Sequence, residues 1–308
     1  MKKIRNALFL LCAALFWGVA FVAQDVGGEI VEPFTFTSSR YLLGGITLLV
    51  LSFITDGIKK KKYGKIERTK EERKKGIKIL FVGGIVCGAV LTVATNLQQI
   101  GLNYTTAGKS GFITACYIVL VPIIGLFFRK KCPFFVWIAV AITLVGLYFL
   151  CLADGFDGFN KGDLITLGCS VAFAGHILSI SYFVSRVDGI KLTCVQCFVC
   201  SIVSAVPMVL FETPTFAALA EAWLPLLYTG IFSAGLAYMF QTLGQKDLNP
   251  TLASIIMSSE SVISVIAAWL ILHQTLTVKE IAGCIIIFAA IILAQLPQRD
   301  KQPIKVKY

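Results

Sequence analysis

Residues 59–97 read KKKKYGKIERTKEERKKGIKILFVGGIVCGAVLTVATNL. A basic run, Lys59–Lys78, gives way without a break to an apolar stretch. Spanning a bilayer takes roughly 20 mostly apolar residues in a helix. A cluster of Lys and Arg beside such a stretch marks the cytoplasmic side of a membrane. The apolar residues run unbroken instead of alternating, so the span is helical and not part of a barrel.

The rest of the chain agrees with this stretch. Its 308 residues are 57% hydrophobic and 15% charged, with net charge +11 and mean hydropathy +0.82. Soluble domains carry about 25% charged residues, so this chain lacks the polar surface to cover a globule in water. It is also too rich in Phe, Ile and Leu for disorder. The charge excess sits in loops between apolar spans, which argues against nucleic-acid binding.

Ten spans are expected: Ala7–Ala23, Phe34–Thr55, Ile77–Leu97, Thr105–Phe128, Pro133–Leu152, Asp163–Val184, Leu192–Phe211, Trp223–Gly244, Thr251–Leu272 and Val278–Leu296. Residues 299–308 read as a basic cytoplasmic tail. Lys2, Lys3 and Arg5 ahead of Ala7–Ala23 resemble a secretory signal. No small-x-small cleavage site follows before Asp25, and Leu11-Cys12 is a poor lipobox, so a retained first helix is expected. With the N-terminus inside, 24 of the 28 Lys and Arg fall on cytoplasmic loops and two, Lys161 and Lys279, outside. Arg40 and Lys109 lie within spans. This bias places both termini in the cytoplasm. Lys outnumbers Arg, as in AT-rich bacterial genomes, so the expected location is the bacterial plasma membrane, as a multi-pass protein.

The chain also repeats itself. A shift of 143 residues lands the fourth span on the ninth, and at that shift Gln98 meets Gln241, Gly101 meets Gly244 and Tyr117 meets Glu260. In the first and sixth, Phe16-Trp17-Gly18 meets Phe173-Ala174-Gly175. The halves, 1–154 and 155–298, hold five spans each. Five is odd, so they cross the membrane in opposite senses. The expected fold is all-α and integral to the membrane, ten transmembrane helices in two five-helix inverted-topology repeats. Such repeats suit alternating access, and equally arise as a route to a large static bundle.

Several segments carry a family likeness: Ala14-Leu15-Phe16-Trp17-Gly18, Glu32-Pro33-Phe34 with Ser39-Arg40-Tyr41, Asn103–Phe112, Asn249-Pro250-Thr251, and Ser259-Glu260-Ser261-Val262. In their order and spacing the chain resembles the EamA-type ten-helix transporters of the drug/metabolite transporter superfamily. The resemblance implies a secondary transporter of a small organic metabolite, such as an amino acid or drug-like compound, working as an exporter. Ser261 stands where the family usually has Pro. The family's Leu-Gly-Glu reads Leu272-His273-Gln274.

Ionisable residues within spans are costly and point to function. Glu260, about 14 Å deep at 1.5 Å per residue, reads as a proton- or substrate-binding carboxylate, with Ser258, Ser259, Ser261 and Ser264 as candidate hydrogen-bond partners. The same carboxylate tied to those serines or to Arg40 would be a packing element. Arg40 and Lys109 suit an anionic substrate group, or snorkel to the interface. His176 is a proton-relay candidate, against the plainer reading of a satisfied buried histidine. Asn96, Gln98 and Gln99, with Tyr238 and Gln241, supply amides and a phenol near span ends. Trp17, Tyr117 and Trp269 supply rings near mid-depth for a cavity, or pack as ordinary core. Gly84 with Gly88, Gly230 with Ala234 and Ser254 with Ser258 are spaced for close helix contact.

Ten Cys fall mostly within spans. Cys194, Cys197 and Cys200 lack a fourth ligand, so no metal is expected. No phosphate-binding loop, zinc-protease motif, nucleophile elbow or potassium-filter sequence is present. No cofactor and no enzymatic activity are expected. The partners are a small-molecule substrate and the lipid bilayer, and homodimerisation stays open. Two other classes stay open as well: an intramembrane enzyme on a lipid-like substrate, and a non-transporting scaffold or sensor.

Overall fold

The computed structural model describes residues 2–64, 69–127, 134–151, 160–273 and 278–295. The expected tail 299–308, the basic triplet Arg129–Lys131 and Gln274 lie outside them. All regular structure among the described residues is helical. The helices are α1 (Lys2–Gly28), α2 (Pro33–Tyr63), α3 (Lys70–Leu102), α4 (Ala107–Thr114), α5 (Tyr117–Phe127), α6 (Phe134–Cys151), α7 (Lys161–Phe183), α8 (Gly189–Phe211), α9 (Phe216–Glu221) and α10 (Trp223–Leu227). A π-helical segment, Tyr228–Ala237, leads into α11 (Tyr238–Gln245), α12 (Pro250–Met257), α13 (Ser259–Leu272) and α14 (Val278–Gln295). Eight stretches among the described residues are long and apolar enough to cross a membrane. The α6 and α14 helices occupy the fifth and tenth expected spans.

Local chemistry sets the boundaries. Thr69 with Glu72 and Asn160 with Asp163 form capping boxes at the starts of α3 and α7. Pro33 and Pro250 occupy the first turns of α2 and α12, where a missing N–H costs nothing. Asp188 caps α8 through the N–H groups of Ile190 and Lys191.

Three features differ from the sequence expectation. The fourth and ninth spans are each broken: α4 stops at Ala115 and α12 at Ser258, both caps with nearly the same backbone angles. The α4 and α12 bounds coincide at the 143-residue offset that separates Tyr117 from Glu260. No proline sits at either break, so sequence gives little warning of it. The eighth span changes winding within its length to a π-helix, and α9 forms where a loop was expected.

Most of the heavy helix pairings join residues 1–154 to residues 155–298. They come in reciprocal sets: α1 packs on α13 and α7 on α4 and α5; α2 packs on the π segment and α3 on α8; α2 pairs with α8 and α6 with α14. Small residues make the close approaches. Gly84 and Gly88 face Val195 and Val199 of α8, and Gly230 and Ala234 face Leu43 and Gly44 of α2. A Cβ on Gly88 would sit 2.6 Å from that of Val199, inside any real contact. The α2–α8 pair is stitched along its length. Ser38 and Ser201 exchange hydroxyl-to-carbonyl bonds of 3.1 and 2.9 Å. At one end the Glu212 carboxylate accepts from the N–H groups of Phe34 and Thr35. At the other, Lys59 pairs with Asp188 and Asp56 with Lys191, each at 2.6 Å.

Candidate functional site

A cavity opens among α1, α2, α3, the two broken spans, α7, the π segment and α11. Seven of the residues singled out from the sequence line it: Trp17, Arg40, Gln98, Tyr117, Tyr238, Gln241 and Glu260.

Tyr238 is the hub of the aromatic wall. Its ring meets Trp17 edge-on at 4.9 Å, its hydroxyl accepts from Tyr41 at 3.0 Å, and His176 stands edge-on to it at 5.7 Å. The Trp17 indole N–H donates to the Ser233 carbonyl of the π segment at 3.3 Å. These contacts fix the rings and leave their remaining faces for an apolar guest.

Among the described residues one acid, Glu260, and one guanidinium, Arg40, line the cavity. Glu260, in the first turn of α13, accepts from the Tyr117 hydroxyl at 2.9 Å. The neighbouring serines do not hold it. The hydroxyls of Ser258, Ser259, Ser261 and Ser264 donate to carbonyls three residues back on their own chain, the usual alternative for serine in an apolar helix. Arg40 does not hold it either. The Arg40 guanidinium donates through Nη1 to Gln24 Oε1 and lies 5.7 and 5.2 Å from the ring centres of Phe36 and Tyr41. It is buried, its Nε has no hydrogen-bond partner, and no salt bridge reaches it among the described residues.

The other five candidates do not line the cavity. Asn96 faces α8, donating to Ser204 at 2.7 Å. Gln99 donates to the Gln24 carbonyl at 3.1 Å. His176 is buried behind Tyr238 and bonded to Gln196 at 3.2 Å. Lys109 lies in the first turn of α4, half-buried. Trp269 is 48% exposed and is not among the residues that line this cavity: a residue near mid-span faces inward or outward by helical phase, which depth alone does not give. Cys194, Cys197 and Cys200 are spent singly, on the carbonyls of Gly45 and Ala234 and on the Thr95 hydroxyl.

Sequence reasoning passed over Gln24, Phe21 and Tyr41 among the lining residues. The signal was there: Trp17, Phe21 and Gln24 recur at helical spacing and share one face of α1. Gln24 lies one residue beyond the expected first span, Ala7–Ala23.

Helices of this length and apolarity around a buried cavity define a multi-pass membrane protein. The profile of the EamA-like transporter family matches residues 4–152 and again 160–296. An Archaeoglobus fulgidus protein named an uncharacterized transporter is 30% identical, over 96% of this chain and 87% of its own. Bacillus subtilis YvbV, also named an uncharacterized transporter, is 24% identical over 98% and 95%. A crystal structure of a protein 19% identical superposes with a TM-score of 0.72, covering 94% of this chain and 97% of that one. The chain belongs to the EamA-like transporter family, and so to the membrane transporters.

Proposed function

We propose that the protein is a secondary transporter of a small organic metabolite, working by alternating access as an exporter. The reading takes ten spans, α6 and α14 being the fifth and tenth, in two inverted five-helix halves. Both termini face the cytoplasm of a bacterium, and the plasma membrane is its site. Trp17, Arg40, Tyr117, Tyr238, Gln241 and Glu260 contact substrate.

One observation carries it. Three pairs of residues matched by the internal repeat line the same cavity: Gln98 with Gln241, Thr114 with Met257, and Tyr117 with Glu260. A cavity built from matching positions of both halves lies on the axis that relates them. Transporters of inverted repeats bind at that interface, where broken helices meet. The breaks at Ala115 and Ser258, the doubled family match and the reciprocal helix pairings support the same reading. Exchange of conformation between the halves then opens the cavity to one side and closes it to the other. No chemical step is assigned to it.

Exchange of radiolabelled metabolites by purified protein in liposomes tests the proposal. Saturable exchange of at least one small metabolite is expected. Flux no greater than that of empty liposomes across a broad panel, by folded protein, overturns it.

A further inference from the structure

The buried arginine is the feature that transport alone leaves unexplained. A guanidinium in a low-dielectric site is costly unless a partner compensates it. Arg40 has a neutral one: Gln24 takes Nη1 through its amide oxygen. Arg40 lines the cavity, and its Nε is buried with no hydrogen-bond partner. The Nε–Nη2 edge of a guanidinium is the fork that matches the two oxygens of a carboxylate.

We infer that Arg40 and Gln24 form a carboxylate-binding subsite, and that Gln24 sets its preference for an anionic group. The inference deepens the transport reading and rests on it for the view that the bound carboxylate is cargo. The class it names is a small monocarboxylate with an apolar or aromatic remainder. Among the described residues Arg40 is the one Lys or Arg lining the cavity, and its planar fork holds one carboxylate. Glu260 lines the same cavity, bonded to Tyr117, and a more highly charged guest such as a phosphate, at about −1.5 to −2 near neutral pH, would meet more repulsion from it. The aromatic wall of Trp17, Tyr41 and Tyr238 suits the remainder.

Gln24 is built to this purpose. Its Nε2 donates to the Ala20 carbonyl at 3.2 Å, which fixes the side-chain amide with its oxygen toward Arg40. The backbone carbonyl of Gln24 accepts from Gln99 at 3.1 Å. A flipped amide would set N–H against N–H. A glutamate at the same place would neutralise the guanidinium and close the subsite to anions. The amide therefore orients the arginine and leaves its charge uncancelled, which makes Gln24 a positioning residue.

The test is ligand-induced thermal stabilisation of the purified full-length protein, titrated with acids and their primary amides: phenylacetate with phenylacetamide, pyruvate with pyruvamide, and L-phenylalanine with its amide. The wild type should bind at least one acid about tenfold more tightly than its amide. Gln24→Glu should bring that ratio to about one. Gln24→Leu keeps the charge and should keep acid above amide. If Gln24→Glu does not fold, Arg40→Gln takes its place with the same expectation. No acid preference in the wild type, or equal weakening of acid and amide in both Gln24 variants, overturns the subsite. Exchange of the same acids in liposomes separates the two readings. Acid preference without flux removes transport and leaves the subsite; flux without acid preference does the reverse.

Discussion

Tyr117 and Glu260 hold matching positions in the fourth and ninth spans, and they touch: the phenol of one donates to the carboxylate of the other at 2.9 Å. Each follows a helix break by two residues. The same place in the two halves thus carries a neutral donor once and an acid once. An exchange of conformation between the halves would change what surrounds the acid.

If Glu260 couples transport to protons, protonation and substrate binding are linked, each altering the other's affinity by one factor. Glu260→Gln should then abolish accumulation driven by a proton gradient while leaving exchange. Its amide oxygen still accepts from Tyr117, so the variant should fold. Gradient-driven accumulation equal to the wild type would remove Glu260 as the coupling group.

Gly18 lets α1 approach α13. A Cβ there would lie 2.5 Å from Ile263 Cβ and 2.9 Å from the Glu260 carbonyl. Gly18→Ala should cost about 1–3 kcal/mol of stability by overpacking and push α13 off the cavity. A melting temperature equal to the wild type would show that the two helices give way freely.

Outside the spans, Asp188 links α8 to α2. Burial alone would raise its carboxyl, but the hydrogen bond and charge of Lys59 and the N–H of Lys191 hold it below its ordinary value. A depressed carboxyl favours the folded state above the unfolded value, about 3.9. That contribution is lost as pH falls through the lower, folded value. Asp188→Asn should remove this acid-limb dependence. Asp188→Ala should also lose the cap, at about 1 kcal/mol, whereas the half-exposed ion pair itself is worth about 0–1 kcal/mol. Identical acid unfolding curves for wild type and Asp188→Asn would contradict this.

Sidedness follows from the loop charges. A cysteine at Lys61, on the basic end of α2, should react with impermeant reagents only from the cytoplasm, and one at Glu221 in α9 only from outside. Reaction of both from one side would rule out the proposed arrangement of spans.

Much of this was legible in the sequence because a membrane imposes strong, simple patterns. Apolar length marks the eight long helices among the described residues, and the 143-residue match makes Tyr117 and Glu260 corresponding positions without making them neighbours. The small-residue pairs Gly84–Gly88 and Gly230–Ala234 did mark close contacts. Helix phase and hydrogen-bond choice were less visible. Trp269 and Tyr117 are both mid-span rings, yet one faces out and the other into the cavity. The serines around Glu260 could serve the carboxylate or their own backbone, and the backbone is nearer. The π winding of 228–237 and the breaks at Ala115 and Ser258 arise from tertiary packing, and no proline or glycine marks the breaks.

The central claim is that the cavity beside Arg40 and Glu260 is the path of the cargo. The most direct test is the rate of substrate exchange in liposomes for the wild type, for Thr114→Phe, which fills the cavity, and for Trp269→Ala, which changes an exposed ring of α13. Thr114→Phe, still folded, should lose at least about tenfold in exchange, or roughly 1.4 kcal/mol in barrier. Trp269→Ala should exchange as the wild type does. Equal exchange by a folded Thr114→Phe protein would contradict the account.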